Sequence, residues 1–335
     1  MAGPTLVIVN PASAAGSTGR RWRLVEPRVA EVLGGFETEW TTAPGEALRL
    51  AAAATRRGVD RIVVAGGDGT IGEVVTGVLQ ASSEVEPSLG VSRRPTLGLL
   101  PMGSGQDLAR TLELPLRLEP ALELIASGIT RELDAARVEL RDAQGAPLER
   151  YLLGQASAGL AAETVRRVGR QSKRMGARLG FLVGSVTAIF AHRPHALRIE
   201  VDGEEIYEGL ISLVVAANGR YFGAGMQVAP LAQPDDGLLE IVLVRGVAPV
   251  RLLAALPSIY SGRHLSHPAV SRHPARSLRV ESLRTPALVE VDGEGLGMLP
   301  MSVDIRPAAI RVLAPLPPRD PDGAERPVDP QEIGA

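Results

Sequence analysis

Three times in the first 110 residues a short apolar run stops at a cluster of glycine and small residues and gives way to a helical pattern. Thr5–Val9 (TLVIV) leads into NPASAAGSTG, Arg61–Ala65 (RIVVA) into GGDGT, and Thr96–Leu100 (TLGLL) into PMGSG. Trp22–Leu33 and Gly45–Arg57 have helical spacing, Phe36–Thr41 can form a further strand, and a helix after GGDGT runs through Leu79. Strands alternating with helices of this length specify a doubly wound parallel sheet with helices on both faces. The strand-to-helix turns then gather at the carboxyl ends of the strands, where ligands bind.

From about Leu133 the pattern changes. Ala136–Leu140, Tyr151–Gln155, Leu197–Val201, Tyr207–Ala216, Leu238–Val244, Leu278–Glu281 and Leu288–Asp292 read as strands, and two helices interrupt them near Glu163–Arg174 and Arg178–Phe190. A β-rich, antiparallel sandwich-like second domain is expected over 133–300, after a first domain over 1–132. The length of 335 residues suits two such cores. Met301–Leu313 carries further strand-like residues. The stretch 315–335, with six prolines among acidic residues, is expected to be disordered.

Composition excludes several classes. There is no cysteine, hence no thiolate nucleophile and no cysteine-based metal site. A net charge of -2 and aromatics at 3% argue against a nucleic-acid binder. Lys173 is the only lysine, so phosphate contacts fall to arginine or to backbone N–H groups. The start of the chain carries no charged leader, and the longest nearly apolar stretch, Leu179–Ala191, is 13 residues, too short to span a bilayer. A cytoplasmic protein is expected, able to touch the inner membrane face.

Within RIVVAGGDGTIGEVV, Gly66, Gly67 and Gly69 allow a tight turn and close approach to a ligand. The helix behind them points N–H groups and its positive dipole end at that ligand, which suits phosphate. Gly67-x-Gly69-x-x-Gly72 also fits the dinucleotide fingerprint, but it follows the third strand rather than the first. QPDDGLLE (233–240) reads by itself as a hairpin turn. The same holds for VDGEG at Val291–Gly295, since VDGEEI at Val201–Ile206 has the same Asp-Gly-Glu.

Taken together, NPASAAG, GGDGT, PMGSGQDLAR, DDGLLE and VDGEG resemble, in order and over about residues 4–314, the soluble bacterial lipid kinases of the diacylglycerol kinase type, relatives of the sphingosine and ceramide kinases. GGDGT alone is shared with NAD kinases and phosphofructokinases. The resemblance implies an ATP-binding first domain, to which 301–314 returns, and a β-rich domain for the lipid acceptor. It implies ATP contacts from Asn10, Pro11, Ala12, Ser13, Ala14, Thr41, Gly66, Gly67, Asp68, Gly69, Thr70, Glu73 and Ser104. Asp68, an acceptor only, would act beside a triphosphate through magnesium, water or a ribose hydroxyl. A structural Mg2+ would be held by Asp236 with Gln233 and Leu238. Glu294 matches the proton acceptor for the attacking hydroxyl, with Asp292 able to share or support that role. The implied reaction is transfer of the γ-phosphate of ATP to diacylglycerol or a related lipid alcohol in the interdomain cleft.

The chain departs from its relatives in two places: Ser13-Ala14 replaces the usual Ser-Gly with its following lysine, and Gln106 replaces an Asn, while 217–226 (ANGRYFGAGM) resembles the family's glycine-rich stretch before the metal motif. Arg20 and Arg21 are the candidates to replace the lysine. Arg166, Arg167, Arg170, Lys173, Arg174 and Arg178 precede an apolar helix; this is either a docking surface for anionic lipid or a solvated helix beside a buried one. His264, His267 and His273 lack ligand spacing and read as surface or loop residues. The alternatives are an NAD kinase-like phosphotransferase, an NAD(P)-dependent oxidoreductase and a nucleotide-binding regulator without kinase activity.

Overall fold

The computed structural model describes residues 4–84, 94–172 and 177–317. Lys173, Arg174 and the stretch 318–335 lie outside the described residues, as do the side chains of Arg170 and Arg178.

The first lobe is built from β1 (Thr5–Val9), α1 (Ser17–Leu33), β2 (Glu37–Trp40), α2 (Glu46–Arg56), β3 (Arg61–Gly66), α3 (Asp68–Glu84), β4 (Thr96–Pro101), α4 (Asp107–Thr111) and α5 (Leu118–Ser127). The strands pair in parallel in the order β2-β1-β3-β4. Alternation along β1 sends Val7 and Val9 to one face, against Trp22 and Val29 of α1 and Leu122 and Ile125 of α5. Leu6 and Ile8 pack on the other face with Ala47 and Ala51 of α2 and Val74 and Val78 of α3. Strand order reverses between β1 and β3, with Val9 opposite Ala65. That reversal opens a crevice at the carboxyl ends of these two strands, where NPAS and GGDG lie.

The second lobe contains β5 (Thr130–Arg141), β6 (Pro147–Leu152), β7 (Gln155–Gly159), α6 (Leu160–Ser172), α7 (Ala177–Ala191), β8 (His195–Val201), β9 (Glu204–Ala217), β10 (Leu239–Arg245), α8 (Pro249–Ala255), β11 (Val270–Ala275), β12 (Ser277–Ser282), β13 (Leu288–Val291) and β14 (Glu294–Leu313). Its pairings are antiparallel and close on themselves, β9-β7-β13-β14-β12-β8 and back to β9. The long strands β9 and β14 make this closure possible, each pairing with different partners along its length. Ala156, Ile199, Val214, Ile241, Val280, Val289 and Val303 fill the interior. The 20-residue β14 starts in this lobe at Glu294 and ends with Val312 opposite Leu97 of β4, in parallel.

Three expectations change. The single strand expected over Tyr151–Gln155 is two, β6 and β7, broken at Leu153-Gly154 where Gly154 packs against the Asp292 carboxylate. The helices α5 and α8 and the strand β11 escaped the sequence pattern. His264 is buried rather than exposed, its Nε2 3.0 Å from the Val228 carbonyl oxygen, while His267 and His273 are half-buried.

The α2–α3 contact depends on small residues. A Cβ at Gly77 would strike the Leu48 carbonyl oxygen and come 3.0 Å from the Ala52 nitrogen. Alanine is a better helix former than glycine by roughly 1 kcal/mol, yet the clash meets backbone that cannot swing aside. Gly77→Ala is therefore expected to destabilise the protein, by about 1–3 kcal/mol, in a denaturant melt. A neutral or stabilising result would show that the two helices are not so closely apposed.

Candidate active site

A cleft of about 990 Å³ runs from the β1/β3 crossover to the second lobe. Asp68, Glu73, Asp107, Asp292 and Glu294 line it, and no lysine or arginine side chain does so among the described residues.

Each part of the cleft is held by local bonds. Asn10, at the end of β1, donates from Nδ2 to Thr70 Oγ1 at 2.9 Å and accepts the Ala12 N–H at 3.0 Å. This ties the NPAS loop to the first turn of α3. The Asp68 carboxylate accepts the N–H groups of Asp107 and Leu108 at 3.3 and 3.2 Å, where α4 begins. Glu73 accepts those of Gly45 and Ala47 at the start of α2, at 2.8 and 3.0 Å. Both carboxylates thus satisfy helix N-termini, a favourable place for negative charge.

The glycines also make room for the protein's own groups. Gly66, Gly67 and Gly69 do not have positive φ. They are small because something lies against them. A Cβ on Gly69 would sit 2.6 Å from Glu294 Oε1, one on Gly72 3.2 Å from Asp292 Oδ2, and one on Gly105 2.6 Å from Asp68 Oδ2. Gly67 and Gly103 bring two loop backbones together, since a Cβ on Gly103 would lie 2.5 Å from the Gly67 Cα. Gly66 is buried behind the cleft wall, where its missing Cβ leaves room for Thr70.

Asp292 and Glu294 stand on the β13–β14 turn. Asp292 has φ 47 and Gly293 φ 82, a left-handed pair typical of a tight hairpin turn. Asp292 Oδ1 accepts the N–H groups of Gly154 and Gln155 at 3.1 and 2.9 Å. Below it, the fully buried Glu290 accepts from Ser157 Oγ at 2.6 Å, from Gln155 Nε2 at 3.2 Å and from the Gly293 N–H at 2.9 Å. Burial pushes Glu290 up to about 7. Burial, then the charges of Glu290 and Asp68, push Asp292 up to about 8. Glu294 opens to the cleft, but crowding by the walls and then the charge of Glu73 raise its pKa too.

The repeated Asp-Gly-Glu clarifies which features are turn chemistry. Asp202 and Gly203 have φ 50 and 83, and Asp202 Oδ1 accepts the N–H groups of Arg276 and Ser277 at 2.9 and 2.8 Å. An aspartate capping two successive N–H groups of a neighbouring strand is common to both turns. Facing the cleft, in contrast, belongs to Asp292 and Glu294 and not to Asp202 and Glu204.

Some site residues were not singled out from the sequence. Asp107, inside PMGSGQDLAR, accepts the Ala224 N–H at 2.8 Å, lies 3.2 Å from Arg110 Nη1, and is raised to about 6 by burial and then by Asp68. The motif containing it was the available signal. Glu290 and Gln155 gave none, because strand pairing alone brings them together. Asn218 is buried and donates to the carbonyls of Asp134 and Leu153, at 3.0 and 3.2 Å. Ala224 takes φ 68 and Ala14 φ 49, so both replace glycine where the backbone is left-handed. Pro11, Ala12, Ser13, Ala14, Thr41 and Ser104 line the cleft with Asn10 and Thr70, whereas Arg20 and Arg21 lie on the exposed side of α1 and do not.

Gln233, Asp236 and Leu238 sit in the loop before β10, apart from the cleft lining. Asp236 Oδ1 accepts the Leu238 N–H at 2.9 Å, and Asp235 pairs with Arg131 at 2.6 Å. The pKa of Asp236 is raised by burial and, past the opposing Leu238 bond, by Asp134 and Asp235. No three carboxylates converge here among the described residues. An ion held by one carboxylate, carbonyls and waters matches such a donor set and is the manner of Mg2+.

Two outcomes follow for stability. Ala14→Gly relieves a left-handed alanine and should stabilise the fold by about 0.5–1 kcal/mol in a chemical melt; a loss would mean that the Cβ makes a needed contact. Glu290 and Asp292, raised in the folded chain, hold protons that the unfolded chain releases. Their contribution is present at acid pH and lost as pH climbs through about 7 and about 8. The thermal midpoint should therefore fall from pH ~5 to ~8 and level off above that, less so in Asp292→Asn. A midpoint rising over that range would contradict the assignment.

Known proteins resemble this chain along both lobes. Residues 4–138 match the diacylglycerol kinase catalytic domain, and residues 154–314 match the YegS C-terminal NAD kinase beta sandwich-like domain. A Mycobacterium tuberculosis diacylglycerol kinase is 29% identical over 289 residues, 86% of this chain and 85% of its own. The protein named "Probable lipid kinase YegS-like" of Chromohalobacter salexigens is 32% identical over 231 residues, 68% of each chain. A crystal structure of a diacylglycerol kinase from Bacillus anthracis shares the fold with a TM-score of 0.65 at 20% identity, covering 96% of this chain and 98% of the other. Matched in both lobes by the two domains of one enzyme group, the chain belongs to the bacterial diacylglycerol kinase-type lipid kinases, phosphotransferases with an alcohol group as acceptor.

Proposed function

We propose that the chain moves the γ-phosphoryl group of ATP to a hydroxyl of diacylglycerol or a related lipid alcohol, with magnesium, in the cleft between the lobes. The observation that carries this reading is the cleft lining, five carboxylates with no basic side chain. A triphosphate entering such a cleft needs cations with it, and oxygen-lined sites of this kind suit Mg2+. Bound Mg2+ would screen the phosphate charge as it shifts toward the leaving group. Asp68 and Asp107, close enough for one charge to raise the pKa of the other, are the residues to hold it.

On this reading residues 1–132 with 301–314 bind ATP, and 133–300 bind the acceptor. The NPAS loop, Thr41, Ser104 and the first turn of α3 orient the triphosphate. Leu153, Val165, Tyr221, Phe222 and Ala224 supply the apolar wall on the acceptor side. Glu294, open to the cleft with a raised pKa, takes the proton of the attacking hydroxyl. Asp292, whose backbone bonds recur in the turn at Asp202, holds the turn in place. The structural ion is assigned to Asp236 with Gln233 and Leu238.

No helix among the described residues is long and apolar enough to cross a membrane. Phe190 at 66% exposure, with Leu182, Val183 and the exposed Arg166, gives α6–α7 an apolar and basic outer surface. We assign that surface to contact with anionic lipid at the cytoplasmic face of the membrane, where the acceptor is found.

Labelled γ-phosphate ATP offered with mixed-micelle diacylglycerol, other lipid alcohols, NAD or no acceptor tests the reading. Transfer to lipid is expected; transfer to NAD alone, or none despite ATP binding, would overturn it. Glu294→Gln should lower kcat by roughly 10²–10⁴-fold with little change in KM for ATP. Asp292→Asn, which keeps an acceptor for Gly154 and Gln155, should stay within about tenfold of the parent rate. The reverse ranking would make Asp292 the base.

A further inference from the structure

Away from the cleft, three chain segments bring two imidazoles and a carboxylate together. Glu163 lies in the first turn of α6, His192 directly follows α7, and His195 opens β8. His192 Nδ1 lies 3.2 Å and His195 Nε2 3.3 Å from the same oxygen, Glu163 Oε1. The three candidate ligand atoms are within 4.8 Å of one another, and no other such group of His, Asp and Glu occurs among the described residues.

The spacing is long for charge-assisted hydrogen bonds and fits a shared ion. Charge-assisted N–H···O bonds run to about 2.7–2.9 Å. Ligands bonded at ~2.0–2.1 Å in a tetrahedron around zinc stand about 3.3 Å apart, which is the separation of each nitrogen from Oε1. The remaining nitrogen-to-nitrogen edge is within 4.8 Å, and His195, whose side chain is 19% exposed, is the more mobile partner. His192, with a side chain 1% exposed, is fixed. Its Nε2 is buried without a partner, so the polar contacts of the ring all lie on the Glu163 side. Arg167 stands 3.5 Å from the other oxygen, Oε2, and leaves Oε1 to the rings.

We propose that Glu163, His192 and His195 form a binding site for a divalent transition ion of the zinc class, with water as fourth ligand, that pins α6 to the start of β8. Two imidazole nitrogens and one carboxylate are a zinc donor set and a poor one for Mg2+, which demands oxygen. The ion would act on position rather than on chemistry. Val165, two residues beyond Glu163 on the pinned helix, lines the cleft.

The full-length protein, stripped with chelator and kept in excess Mg2+, is titrated with Zn2+ by calorimetry and with Co2+ by visible absorption. One equivalent of Zn2+ should bind, Co2+ should give tetrahedral ligand-field bands, and Zn2+ should raise the thermal midpoint. Loss of an outer-shell partner alone costs 10–100-fold in affinity, so Glu163→Gln and His195→Gln, each removing a ligand, should weaken binding by about 100-fold or more. His267→Gln, at a half-buried histidine outside the group, should bind as the parent does. Absence of Zn2+ binding by the parent overturns the proposal. So does unchanged affinity in either folded ligand variant, or octahedral Co2+ bands.

Discussion

The structure turns on the packing of carboxylates into a glycine-lined cleft. Like charges repel, and desolvation alone raises a carboxyl pKa, so five acids in one cleft need compensation. Backbone N–H groups supply it for four of the five. Asp68 takes two at α4, Glu73 two at α2, Asp292 two at β7 and Asp107 one from Ala224. Glycines 69, 72, 105 and 154 give up side chains so that Glu294, Asp292 and Asp68 can come that close.

Those bonds also join the lobes. Asp107 belongs to the first and Ala224 to the second, and Asp134, on the strand leaving the first lobe, accepts N–H groups from Gly237 and Ala308 at 2.6 and 2.8 Å. Asn218 ties the same crossing from below, through the carbonyls of Asp134 and Leu153. With β14 running from Glu294 to its pairing beside Leu97, the geometry of the acids and the seating of the lobes are one set of contacts. A change in the charge of these acids therefore acts on packing as well as on the cleft.

How far the sequence reveals this depends on the range of each interaction. The βαβ alternation, the glycine turns and the acidic motifs are local, so the parallel sheet and its crevice were readable from spacing. The break at Leu153-Gly154 was not, because its cause is Asp292, far along the chain and reached through the β13–β7 pairing. Glu290 and Gln155 were invisible for the same reason. The glycines of GGDG were found by type, but not what lies against each: Thr70 at Gly66, the Gly103 loop at Gly67, and Glu294 of the other lobe at Gly69. His192 and His195 carry a short signal, H-x-x-H, but its third member is 29 residues earlier, on α6.

The departures from the family pattern bear on how phosphate charge would be met here. Arg20 and Arg21 do not line the cleft, and Ser13-Ala14 keeps a left-handed backbone at Ala14 with alanine in the place of glycine. The loop geometry that a glycine would adopt freely is thus retained at a cost in strain, which indicates that the shape of the loop matters more than the residue that makes it. On the proposed reading, charge compensation at the triphosphate then falls to bound cations and to the positive end of α3 rather than to a lysine. The acids that hold those cations already serve as caps for α4 and, through Ala224, as a clasp to the second lobe. Nucleotide binding and lobe alignment would accordingly respond to the same ion, a coupling that a lysine side chain at the phosphates would not impose.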